Sequence, residues 1–215
     1  MRLKDGYKKL KKLENKTFGM LDLDCELLNK GRAGQLLETK IGLRSGNHHL
    51  DFEDGELKSH KCELKNTKIV PKETIALTII SSNNIDDYLE SSFSKSLLGS
   101  KISNLLLVPV IKVKEKKGLI PFEWFIKNVT LFKSKKFQKE LEEDYDFIIS
   151  KIKTSKKIKT TSGPNDYLQI RSKDSRGKKT KKYHEVYSKH LDIKLSDKNY
   201  AFYLKKSFIK KLINR

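Results

Sequence analysis

The sequence predicts a mixed α/β fold, and three observations carry that expectation. Apolar, β-branched runs at residues 74–80 and 102–113 read as buried strands. Stretches of helical periodicity at 29–43, 85–101 and 134–153 alternate with them. The hydrophobic fraction of 36% lies at the low end for a globular chain but suffices for a packed core, which excludes wholesale disorder. A length of 215 residues suits one domain, or one domain made of two lobes.

Residues 1–15 are lysine-rich with Leu3, Leu10 and Leu13 at intervals, which suits a short basic helix or arm. The segment 29–43 opens with Gly31 and Gly34 and continues as an apolar-periodic helix. Ser45-Gly46-Asn47-His48-His49 is a turn, and its paired histidines have no cysteine or histidine at ligand spacing, so they read as loop residues. A strand is expected over 50–65, then the strand 74–80, a helix over 85–101 and the strand 102–113. Residues 122–131 are a further strand candidate. Over 134–153 the acidic residues come early and the lysines late, complementing a helix dipole. A lysine-heavy junction at 151–159 leads into the loop 160–165, a short strand over 167–171, a basic loop to about Tyr183, and a terminal strand and helix over 200–215. There are no internal repeats.

Lys and Arg number 47 against 27 Asp and Glu, a formal charge of +20. A field of that sign attracts polyanions and gives salt-dependent phosphate binding. It separates neither DNA from RNA nor an enzyme from a passive binder. No apolar stretch approaches the ~20 residues of a membrane span. The N-terminus lacks the apolar core of a secretory signal. Cys25 and Cys62 have no metal-binding spacing and read as reduced thiols. A cytoplasmic protein without a membrane partner is the expectation.

The residues that carry chemistry are Gly55-Glu56-Leu57-Lys58, with Asp51 upstream. Side chains alternate along a strand, so Glu56 and Lys58 share one face. Asp51 and Glu56 supply hard oxygen ligands suited to Mg²⁺, and the Lys58 ammonium can orient an attacking water and stabilise charge on a phosphorane. In a chain this rich in charge, the same residues also fit a solvated edge strand with an Asp54-Gly55 turn.

Four stretches, in order, resemble the MutH endonuclease family of methyl-directed mismatch repair and the related GATC-cutting restriction enzymes of the Sau3A kind. They are Lys30-Gly31-x-x-Gly34-x-Leu36-Leu37-Glu38; Asp51-Phe52 with Gly55-Glu56-Leu57-Lys58; residues 101–110 from Lys101 to Val110; and the C-terminal pair, 166–173 with 201–208. The resemblance implies a restriction-endonuclease-like mixed β-sheet flanked by helices, with two lobes around a DNA cleft. It implies a single endonuclease domain over 1–215, with a catalytic lobe over about 1–150 and a recognition lobe over about 160–215. By position, Asp51 and Glu56 would bind Mg²⁺, Lys58 would complete the triad, Glu38 would support it from behind, and Lys101 would lie near the scissile phosphate. Arg171, Ser172 and Lys173 would enter the major groove, Tyr203 would sit beside the adenine and sense its methylation, and Lys30 would approach the DNA. Arg171 and Lys173 also suit phosphate contacts, though less well than base reading, and Tyr203 equally suits the core.

Two departures from the family stand out. Asp51 and Glu56 lie two residues closer together, so either Asp51 still reaches the metal or Glu53 or Asp54 substitutes. Ser172 stands where the family has proline. The implied function is a Mg²⁺-dependent type II restriction endonuclease cutting double-stranded DNA at GATC or a close variant, as a homodimer or as a monomer nicking each strand, with a cognate adenine methyltransferase. The alternatives are a mismatch-repair nickase and a catalytically inactive DNA-binding module.

Overall fold

The computed structural model describes residues 1–23, 32–43, 50–112, 121–173 and 185–214. Cys25, Lys30, Gly31, His48 and His49 lie outside the described residues. The chain runs α1 (Leu3–Lys11), α2 (Arg32–Ile41), β1 (Glu56–Lys65), β2 (Lys68–Pro71), β3 (Ile75–Ile80), α3 (Ile85–Glu90), α4 (Leu97–Ile102), β4 (Asn104–Ile111), β5 (Phe125–Ile126), β6 (Thr130–Lys133), α5 (Gln138–Ser155), β7 (Thr161–Ser162), β8 (Leu168–Ser172), β9 (Val186–Ser188), β10 (Ile193–Ser196), β11 (Tyr200–Leu204) and α6 (Lys206–Ile213). The expected mixed α/β class is borne out.

Contacts divide the chain into two units. The first takes Met1–Thr74, Ser103–Lys133 and Ile209–Arg215; the second takes Ile75–Ile102 and Ser134–Phe208. Both are assembled from separated stretches, whereas the lobes expected from sequence are contiguous blocks.

In the first unit the sheet runs β2-β1-β4-β5, with β6 also on β4. β1 and β4 are parallel, with Glu56 opposite Leu105 and Lys58 opposite Leu107. From Leu105 onward every residue of β4 is buried, as befits a central strand covered on both faces. Leu57, Leu106 and Val108 join Leu10 of α1 and Leu37 of α2 in one core cluster. β1 turns into β2 through Asn66 and Thr67, both at positive φ (45° and 70°), a two-residue connection whose twist matches a hairpin.

The second unit holds an antiparallel sheet, β3-β11-β8-β7, and the hairpin β9-β10. α5 buries Leu141, Asp144, Tyr145, Ile148, Ile149 and Ile152, one stripe at helical spacing. Asp144 is the polar exception. Its carboxylate accepts from the backbone N–H of Asn165 (2.6 Å), Tyr167 (2.9 Å) and Leu168 (2.8 Å), which fixes the loop entering β8. A Cβ on Gly163 would lie 2.2 Å from the Asp144 Cγ, so only glycine fits there. Asp144→Ala leaves one buried and two partly buried N–H groups unpaired and is expected to lower stability by about 1–3 kcal/mol; urea unfolding measures it.

Three expected elements differ. The strand expected over 50–65 starts only at Glu56, because residues 52–55 close into a turn in which Phe52 N–H donates to Gly55 O at 2.9 Å. The helix expected over 85–101 is interrupted between α3 and α4. Ser92 and Ser96 are extended, and Ser96 Oγ donates to Phe93 O at 2.8 Å and accepts from Gly99 N–H at 3.1 Å, competing with helical pairing. The strand expected over 122–131 is split into β5 and β6 by Asn128 at φ 52°.

Candidate active site

Asp51, Glu56, Lys58 and Glu38 come together in the first unit. Parallel pairing with β4 fixes the start of β1, so Glu56 is buried at 2% exposure while Lys58, on the same strand face, stays partly open. Lys58 Nζ donates to Glu56 Oε2 at 2.6 Å and lies 3.8 Å from Asp51 Oδ2. Asp51 Oδ2 also accepts from Leu57 N–H at 2.8 Å. The shortened turn therefore still delivers Asp51 to the cluster.

Glu53 and Asp54 are occupied elsewhere. Glu53 Oε1 accepts from Met1 N at 2.7 Å and Asp54 Oδ1 from Leu3 N–H at 2.7 Å.

α2 brings Glu38. It packs so closely on β1 that a Cβ on Gly34 would lie 2.6 Å from Ser59 Oγ, which accounts for the glycine. Burial holds the half-buried Glu38 carboxyl above its ordinary range; the Lys58 charge opposes that shift and Glu56 adds to it. The Asp51 carboxyl is pushed up to about 6, first by burial and then by a side-chain hydrogen bond with Glu56, against the pull of Lys58.

Both carboxyl groups close on Lys58 Nζ, Glu56 Oε2 at 2.6 Å and Asp51 Oδ2 at 3.8 Å, and that convergence marks where a cation fits. Asp51 and Glu56 offer adjacent anionic oxygens, a donor set for a hard divalent ion that keeps most of its own waters. Among the described residues no group of three or more His, Cys, Asp or Glu side chains is placed to hold a metal. The fit thus rests on the two carboxylates.

His60 escaped the sequence reading. It continues the Glu56–Lys58 face of β1, is 3% exposed, and neither ring nitrogen has a hydrogen-bond partner among the described residues. Burial lowers its pKa to about 4, so the ring is neutral at physiological pH. Counting in steps of two from Lys58 would have found it.

The other expected residues that are described lie in the second unit. Lys101 is half-buried in the last turn of α4. Arg171 and Ser172 end β8, and Lys173 follows, its N–H donating to Asn199 O at 2.8 Å. Arg171 is exposed, with its guanidinium 5.7 Å from the Tyr203 ring centroid. Tyr203 is half-buried between the fully buried Phe202 and Leu204, so it is not a core residue.

Asp51, Glu56, Lys58 and Lys101 fall inside one continuous family match, described as the DNA mismatch repair enzyme MutH. Residues 44–144 are MutH-like. The match spans just under half of the chain and stops short of Glu38 on one side and of Arg171 and Tyr203 on the other. MutH belongs to the restriction-endonuclease-like nucleases, and the mixed sheet flanked by helices is consistent with that fold. The match supports a DNA endonuclease, a hydrolase, of the MutH and restriction-enzyme kind. No curated protein matches the chain at a significant level. Among the described residues no helix is long and apolar enough to cross a membrane.

Proposed function

We propose that the chain is a Mg²⁺-dependent, sequence-specific DNA endonuclease, a type II restriction enzyme cutting at GATC or a close variant. The observation that carries this reading is the cluster itself: Lys58 Nζ at 2.6 Å from Glu56, with an Asp51 carboxyl that burial and Glu56 raise to about 6. A purely structural pair gains little from burying two like charges together. A site that binds a cation needs them.

Asp51 and Glu56 would hold Mg²⁺, which supplies Lewis acidity at the phosphate and acidifies bound water. The protein's own residues do the rest. Lys58 Nζ directs a proton of its ammonium at the attacking water or at the phosphate oxygens, where negative charge grows. The Glu56 carboxylate holds that ammonium in place, and Glu38 adds negative charge behind it. Lys101 is assigned to the scissile phosphate. Lys30 and Lys173 are assigned to the DNA backbone, where the charge of +20 favours binding.

Arg171 is the candidate base reader, with Ser172 beside it, and Tyr203 is assigned to the adenine and its methylation. Arg171→Ala is expected to lose about 1–3 kcal/mol of discrimination between target and altered sites, the worth of a bidentate guanine contact. Competition binding in Ca²⁺ measures it, and uniform weakening on every sequence would make Arg171 a phosphate contact instead. The enzyme works in the cytoplasm as a homodimer on its palindromic site, protected by a cognate adenine methyltransferase.

A second reading, a mismatch-repair nickase activated by a partner, is favoured by the description of the matching family. Incubating adenine-methylated and unmethylated plasmid with the purified protein, and sequencing the ends, separates the two. Double-strand ends at one short sequence without added protein support restriction, whereas feeble nicking confined to unmethylated strands supports repair.

A further inference from the structure

Asp51 belongs to no helix or strand, and its separation from Glu56 is set by the turn 52–55. α1 and Met1, two residues before it, grip all four residues of that turn. Gly6 receives the Phe52 ring so closely that a Cβ would lie 2.3 Å from Phe52 Cε1. Glu53 N–H donates to Met1 O at 3.2 Å. Asp54 Oδ1 accepts from Leu3 N–H at 2.7 Å. Gly55 lies under Leu3, whose Cδ1 would be 3.1 Å from an added Cβ, and against Asn104 O of β4, which would be 2.6 Å away.

The Asp54 contact is a helix cap supplied from a distance in sequence. Arg2, at the N-cap of α1, makes no side-chain cap hydrogen bond, and Leu3 is the first helical residue. A carboxylate there satisfies an orphan N–H and faces the positive end of the helix. The lysines of α1 invite reading it as a nucleic-acid arm, yet its buried face, Leu3, Gly6 and Leu10, is turned to the turn and the core.

We propose that α1 is a positioning element of the cation site, holding the Phe52–Gly55 turn through Asp54 and Gly6 so that Asp51 meets Glu56. The proposal rests on the reading that Asp51 and Glu56 bind a divalent cation. Neither Asp54 nor Gly6 touches the cation or the substrate. Both act by setting where a ligand sits, and residues that orient metal ligands typically influence affinity about 10–100-fold.

The test is calorimetric titration of the full chain with Mg²⁺, and with Ca²⁺ as a second probe, without DNA and well below each variant's melting temperature. Asp54→Ala and Gly6→Ala are each expected to weaken cation affinity about 10–100-fold. Asp54→Asn keeps an acceptor for Leu3 N–H and is expected to restore most of it. DNA affinity in EDTA is expected to stay at the wild-type value for all three. Wild-type cation affinity in Asp54→Ala and Gly6→Ala, or equal weakness of Asp54→Asn and Asp54→Ala, overturns the proposal. Asp51→Ala and Glu56→Ala are titrated alongside. If these two still bind the cation as wild type, it is the metal-site reading that fails; if they lose binding while the α1 variants keep it, only the positioning role falls.

Discussion

Lys58→Ala is expected to reduce the single-turnover cleavage rate by about 10²–10³-fold, the usual consequence of removing one donor aimed at developing negative charge, while DNA binding in Ca²⁺ is expected to persist. The ammonium lies 2.6 Å from Glu56 and 3.8 Å from Asp51, so it is the cation nearest the two carboxylates among the ion pairs of the described residues. Its loss leaves Glu56, 2% exposed, beside Asp51 without that neutralising charge. The Asp51 carboxyl, whose pKa Lys58 pulls down, then holds its proton more tightly, so part of the loss appears as a higher Mg²⁺ requirement. Titrating Mg²⁺ separates the two: a rate that stays low at saturating Mg²⁺ belongs to the chemical step. Glu56→Ala is expected to be at least as damaging. Wild-type cleavage by either variant would remove the site from consideration.

Asp51→Asn is expected to raise stability in EDTA while abolishing cleavage. The folded-state pKa of about 6 stands above the ordinary value of 3.8. Between those values the native protein binds more protons than the unfolded chain, so stability falls as pH rises through the window, and the penalty is complete above pH 6. With the side chain 31% exposed, screening reduces the full shift to about 1–2 kcal/mol at neutral pH. Removing the charge recovers that amount, a gain of about 2–4 °C in melting temperature per kcal/mol. The gain is present at pH 8 and absent near pH 4, and Mg²⁺ stabilises wild type but not the variant. An identical gain at both pH values would show that ionisation of Asp51 is not the cause. Wild-type Mg²⁺ affinity should likewise weaken as pH drops below 6, since the ligand must lose its proton.

What the sequence made legible was local. Glu56-x-Lys58 lies within one strand, and the period of two alone puts both side chains on one face. The helical stripe of α5 and the apolar run of β4 are equally local signals. Pairings between distant stretches were not legible. The neighbour of Glu56 across the sheet is Leu105, and no periodicity announces it. β2 was missed because its hairpin uses Asn66-Thr67 rather than a glycine turn, and the short β9 and β10 give too few residues for a pattern. The helix expected over 85–101 is interrupted although apolar spacing persists through Ser96, because the Ser96 hydroxyl captures the backbone. Around the site, the five-residue step from Asp51 to Glu56 could be read, but the choice among Asp51, Glu53 and Asp54 could not. That choice depends on α1, whose Leu3 N–H claims Asp54 and leaves Asp51 for Lys58.

The most direct measurement is cleavage of unmethylated supercoiled plasmid by the purified chain, in Mg²⁺ and in EDTA, with Glu56→Ala alongside. Linear fragments with discrete ends in Mg²⁺, absent in EDTA and absent with Glu56→Ala, are the expected result. Tight DNA binding with no strand broken in Mg²⁺ or Mn²⁺, or cleavage that persists in EDTA or with Glu56→Ala, would contradict a carboxylate-held metal site as the seat of the chemistry.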